Sequence, residues 1–250
     1  MPERTASPSS RQAWEMSRPN KLESRFRDLI GQLAENGKLV VANVAYGEPS
    51  LSFGDLRDLS HFNPDWGDVR LDEQTVNEAL ALTTVSAYWE SSEPLPKIFG
   101  EFYLPSPVEI LGMGQDPAAD LLEDPFHREF VSQLRPIDIA QLLTPRYMSS
   151  IRMIPQNGPL EVWFHDLTVM ENPPYPVAYA KLDLTLVEYE EALLLTKGAH
   201  GWQYLFADIS LAEPGMSHVA ERLGTALEVL PAIFPDDDFA PLRVRLEARL

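Results

Sequence analysis

Cysteine is absent from all 250 residues. That excludes disulfide scaffolds, a thiolate nucleophile, iron–sulfur clusters and every zinc site that relies on sulfur. Long apolar runs are missing too, and no stretch approaches the roughly 18 consecutive apolar residues of a membrane span. Positive charge is scarce: 20 Lys and Arg stand against 38 Asp and Glu, for a net charge of -18. A field of that sign repels phosphate backbones and anionic headgroups, so neither nucleic acid nor membrane is an expected partner. The first fifteen residues, MPERTASPSSRQAWE, lack the apolar centre of a secretory signal, which points to the cytoplasm.

Catalytic signatures are equally sparse. The five histidines, His61, His127, His165, His200 and His218, occur singly, and no two have the spacing that sets a metal pair on one helix face. His165 and Asp166 are neighbours in an expected strand, where adjacent side chains point to opposite faces. There is no G-x-S-x-G elbow and no Walker sequence, and Gly112-Met113-Gly114 lacks the third glycine of a dinucleotide loop. Asp236-Asp237-Asp238 lacks calcium-loop spacing and reads as a solvated turn, with Asp238 capping a helix that Pro241 starts. Arg243, Arg245 and Arg249 on that helix are expected to pair with acids of the same chain. No cofactor and no metal is expected. A hydrolase using two carboxylates stays open, because acids facing each other across a cleft have no sequence signature.

What the chain does have is acid, unevenly placed. Residues 48–124 hold 16 acids against three bases, Arg57, Arg70 and Lys97. The plain role of such a surface is solubility; the sharper one is a face that steers a basic protein. Asp65, Asp68, Asp72 and Glu73 are the candidate contacts within it.

Residues 1–19 are rich in Ser, Pro and Arg and read as a flexible arm, leaving 20–250 as a single large domain. Asn20 and Glu23 have capping-box spacing ahead of a stripe of Leu22, Phe26, Leu29, Ile30 and Leu33, stopped by Asn36-Gly37. Strands are expected over 39–46, 83–89 and 97–104, with a short helix over 73–81. Phe126, Phe130, Val131 and Leu134 have helical spacing, and Pro136 is expected to open a further helix through Leu143. Tyr147 to Ile154 and Leu160 to Val169 flank an Asn157-Gly158 turn, and another strand follows over 177–182. Short turns between strands favour an α+β fold, a mixed and mainly antiparallel sheet flanked by helices.

The most regular segment begins at Thr185, which with Glu188 forms a second capping box; Leu186, Tyr189, Leu193 and Leu194 follow as a stripe, and Gly198 ends the helix. Glu188, Glu190 and Glu191 on it are assigned to scaffolding. Trp202, Tyr204 and Phe206 alternate as in a strand, either packing in the core or, for Trp202 and Tyr204, offering aromatic anchors to a partner. The string LTLVEYEEALLLTKGAHGWQYLFAD, residues 184–208, resembles the C-terminal signature of the SUKH superfamily, which includes bacterial immunity proteins and yeast cell-wall synthesis regulators. The resemblance implies a mixed sheet with flanking helices. It also implies a non-catalytic immunity protein that binds a basic, nuclease-type toxin domain and occludes its cleft, or a regulatory scaffold with an endogenous partner.

Overall fold

The computed structural model describes residues 20–56, 58–140, 147–155, 158–166 and 178–250. The N-terminal arm over 1–19, Asn157 of the hairpin turn, and the ends of two expected elements at 141–143 and 167–169 lie outside the described residues.

Helix α1, Lys21–Glu35, starts where the capping box places it. Asn20 accepts the Glu23 N–H at 2.8 Å and Glu23 accepts the Asn20 N–H at 2.9 Å. Leu22, Phe26, Leu29 and Leu33 are buried on one face, worth roughly 1.5–3 kcal/mol each. Strand β1, Leu39–Tyr46, is followed by irregular chain with two 3₁₀ turns, Leu59–His61 and Pro64–Trp66. Helix α2, Glu73–Glu78, leads to β2, Thr84–Ser91, and β3, Phe99–Pro105. These strands form an antiparallel sheet in the order β1-β2-β3. Val85, Ala87 and Trp89 alternate inward, opposite Leu104, Phe102 and Gly100. Gly100 is needed at that register, because a Cβ there would lie 2.5 Å from the Trp89 ring. That ring reaches across to donate from Nε1 to the Lys197 carbonyl at 2.7 Å.

Helices α3, Pro107–Gly112, and α4, Pro125–Ser132, precede a second antiparallel sheet. Its strands are β4, Leu134–Ala140, β5, Tyr147–Arg152, β6, Val162–His165, and β7, Tyr179–Leu182, in that order. The expected helix from Pro136 is replaced by β4. Proline is tolerated there because β4 is the edge strand and its register with β5 shifts between Pro136 and Asp138. Leu134, expected to extend the α4 stripe, begins that strand.

Helix α5, Leu186–Thr196, has the Thr185–Glu188 box and ends on two left-handed residues, Lys197 at φ 59° and Gly198 at φ 66°. After it the chain does not form a strand. Gly201, at φ 85°, turns it into a 3₁₀ helix, Trp202–Leu205, closed by Tyr204 N–H to Gly201 O and Phe206 N–H to Gln203 O. Segment 199–207 ties the sheets together, with Ala199 bridged to Gly100 and Ala207 bridged to Leu182.

Helices α6, Ser217–Ile233, and α7, Ala240–Glu247, complete the chain. Pro231 sits inside α6 and removes the N–H that would bond the Leu227 carbonyl. Arg243 of α7 supplies the missing donor, Nη2 to Leu227 O at 3.0 Å. Arg249 likewise bonds the Ala207 carbonyl at 2.8 Å, and Arg245 lies 4.4 Å over the Phe206 ring. These arginines therefore serve carbonyls and a ring, and none makes an ion pair with a described acid. The N-cap of α7 is Phe239 and not Asp238, whose carboxylate accepts the Ala240 N–H at 2.9 Å from one residue further out. The main apolar cluster takes in both sheets with α1, α5, α6 and α7; a smaller one gathers Ala119, Phe130, Val131, Leu134, Trp163 and Tyr179. Among the described residues no helix is long and apolar enough to cross a membrane.

Candidate functional site

All sixteen acidic residues of 48–124 reach the surface, twelve of them exposed and four half-buried. The two described bases of that stretch are occupied locally. Arg70 donates to the Gly67 and Val69 carbonyls and lies 3.9 Å from Asp68, while Lys97 pairs with Glu90 at 3.0 Å.

Local hydrogen bonding explains why the turns are built from Asp and Asn. Asp58 accepts the Ser60 N–H and hydroxyl, which holds its carboxyl below the usual range. Asn63 accepts the Asp65 N–H at 3.0 Å and so caps the turn that buries Trp66. Asp72 caps α2, accepting the Thr75 N–H at 2.9 Å and the Thr75 hydroxyl at 2.7 Å. The four acidic candidates therefore divide. Asp65, Asp68 and Glu73 are exposed, whereas Asp72 is half-buried and holds a helix end.

Trp202 and Tyr204 are not surface anchors, being 1% and 0% exposed. The Trp202 ring packs on Tyr189 at 4.8 Å, and the Tyr204 hydroxyl donates to Asp166 at 2.7 Å. The reason is the 3₁₀ turn, which places consecutive bulky residues in the core where a strand would have exposed every second one.

Sequence reasoning missed a set of buried polar groups. Asp138, at the β4 bulge, accepts the Tyr103 N–H of β3 at 2.9 Å and the Tyr189 hydroxyl at 2.8 Å, bridging the seam between the sheets. The Tyr189 hydroxyl also lies 2.9 Å from Ser149 Oγ. Burial raises Asp138 to about 7. Glu190 is 6% exposed and receives the Leu80 N–H; burial raises it to about 8, and the charge of Glu23 adds to the rise. The two carboxyls have separate partners, and neither lines the larger cavity described next. His200 stacks on Tyr147 at 4.6 Å, and burial together with the Arg222 charge lowers it to about 4. Only burial by distant chain distinguishes these residues, and no spacing announces it.

Next to the acidic turns is a cavity of about 570 Å³ between the Pro64–Trp66 turn, the loop after α3, and the ends of α4 and β5. Asp65 and Asn63 line it, as do Trp66, Gln115, Glu129 and Arg135. Among the described residues no group of three His, Asp or Glu is placed to hold a metal ion. Comparison with protein-family models, with curated proteins and with solved structures gives no match to this chain.

Proposed function

We propose that the chain is a cytoplasmic, non-catalytic binding protein whose acidic surface receives a basic protein, in the manner of an immunity protein that covers the nucleic-acid cleft of a nuclease-type toxin. The carrying observation is the exposed acid of residues 48–124, where every acidic side chain reaches solvent and both described bases are occupied locally. Asp65, Asp68 and Glu73 stand free of capping duties in that surface and present carboxylates where a nuclease cleft expects phosphates. Steering of this kind needs no cofactor. The SUKH-like reading of residues 184–208 belongs to this proposal, and in it α5 and the Trp202 turn are the scaffold that holds the sheets.

The test is inhibition. The purified chain is titrated into basic nuclease toxin domains and cleavage of their nucleic acid is followed. Stoichiometric inhibition by the wild type, weakened in a variant carrying Asp65→Lys, Asp68→Lys and Glu73→Lys, supports the reading. Failure to inhibit any domain of that class, or equal inhibition by the variant, contradicts it.

A further inference from the structure

Arg135 is a buried charge without an ion-pair partner among the described residues. It belongs to β4, is 4% exposed, and has no described carboxylate within ion-pair distance. Its Nη1 donates to the Ser132 and Leu134 carbonyls at 2.8 and 2.7 Å, which fixes that end of the guanidinium. The plane packs over the Trp66 ring, 4.7 Å from its centroid. The Nε group is buried with no hydrogen-bond partner, and Nη2 makes no bond to a described residue. Burial lowers its pKa, yet an arginine remains charged throughout the physiological range. A cation nine-tenths buried without a counter-ion is costly, and Nη2, which makes no bond to a described residue, is the donor left for an anion in the cavity.

We propose that the cavity lined by Arg135 binds a small organic monocarboxylate, its head paired with Nη2 of Arg135 and its apolar body held between Trp66, Phe62 and Met153.

The cavity volume, about 570 Å³, suits a metabolite-sized ligand. Asn63 spends its Oδ1 on the turn cap, which leaves its amide NH₂ as a second donor on the lining. The acids choose between anions. Asp65 and Glu129 line the same cavity, in which Arg135 is the only base among the described residues, so a phosphate dianion meets two like charges with one cation to offset them. A monocarboxylate carries half that charge, so the one cation offsets its head against the same two acids, and apolar walls lie along its body. This site goes beyond the protein-binding proposal and does not depend on it.

Acetate, hexanoate and phenylacetate are the probes, with phenylacetamide and inorganic phosphate as controls, titrated into the full chain with ¹⁵N-labelled arginine. Arg135 Nε–H is identified as the resonance that Arg135→Lys removes. Phenylacetate and hexanoate are expected to shift it saturably below about 10 mM, acetate more weakly, and the two controls not at all. Glu129→Gln and Asp65→Asn, which alter exposed rim residues, are each expected to tighten phenylacetate by about two- to fivefold. Their phenylacetate affinities are read by calorimetry, so this arm does not depend on whether Arg135→Lys folds. The proposal is overturned if no carboxylate moves the resonance, if the amide or phosphate binds as well as the acid, or if the rim variants leave affinity unchanged.

Discussion

Glu190 of α5 receives the backbone N–H of Leu80 on both carboxylate oxygens, at 3.3 and 3.2 Å, inside the core. The bond anchors the chain after α2 to the best-specified helix of the molecule. It also gives stability an unusual pH dependence. Burial raises Glu190 to about 8 and Asp138 to about 7, so the folded chain holds protons that the unfolded chain releases near pH 4. Between those limits the native state binds more protons, and stability falls as pH rises from about 4 through 7 and 8. His200 acts at the other end. Lowered to about 4, it is neutral where an unfolded histidine is charged, and stability is lost as pH falls from about 6.5 toward 4. Glu190→Gln, which keeps an acceptor for Leu80, should raise the urea midpoint at pH 9 and leave it nearly unchanged at pH 5. Equal effects at both pH values would show that Glu190 is ionised in the fold.

The end of α5 is a second sensitive point. Gly198 has φ 66°, and a Cβ there would lie 2.7 Å from the Phe102 ring and 3.3 Å from the Glu101 carbonyl oxygen. Gly198→Val therefore combines a left-handed backbone with a clash against a buried ring. It should destabilise by about 2 kcal/mol or more. Trp202→Ala, emptying a wholly buried site, should cost about 3–5 kcal/mol. Denaturant unfolding of the two variants measures both, and a neutral result for either would displace its residue from the core contacts described.

Asp72 separates capping from surface charge. Asp72→Ala loses the two hydrogen bonds to Thr75 and should lower stability by about 1 kcal/mol. Lysine at Asp65, Asp68 and Glu73 should leave the melting temperature within about a degree, since exposed charges contribute little. Thermal melts of the single variants discriminate the cases, and a neutral Asp72→Ala would mean that α2 is held by packing alone.

Much of the fold is legible because its signals are local. The Asn20–Glu23 and Thr185–Glu188 boxes name two helix starts through hydrogen bonds within four residues, and period-two burial of Val85, Ala87 and Trp89 follows from the strand itself. Where tertiary context decides, the pattern misleads. Pro136 has the look of a helix start, yet an edge strand with a shifted register accommodates it. Trp202, Tyr204 and Phe206 alternate like a strand, but the positive φ of Gly201 sends them into a 3₁₀ turn. The sequence pattern did not single out α6, since Gly224 and Pro231 interrupt it and the donor that offsets Pro231 comes from Arg243, on another helix. Of the site, the exposed acid was visible as composition. The cap role of Asp72, the burial of Glu190 among residues assigned to scaffolding, and the unpaired Arg135 were not, because each depends on what distant chain brings alongside.

The acidic surface is tested most directly by the association rate with a basic nuclease toxin domain, measured across ionic strength. Three proteins are compared: the wild type; a variant with Asp65→Lys, Asp68→Lys and Glu73→Lys; and a control with Glu221→Lys, Glu228→Lys and Glu247→Lys, exposed positions on α6 and α7. The wild-type rate should fall about tenfold or more from low to physiological salt, because steering acts over about a Debye length. The first variant should associate slowly with a shallow salt dependence, and the control should follow the wild type. A wild-type rate indifferent to salt, or equal slowing by both sets of reversals, would contradict partner recognition through residues 48–124.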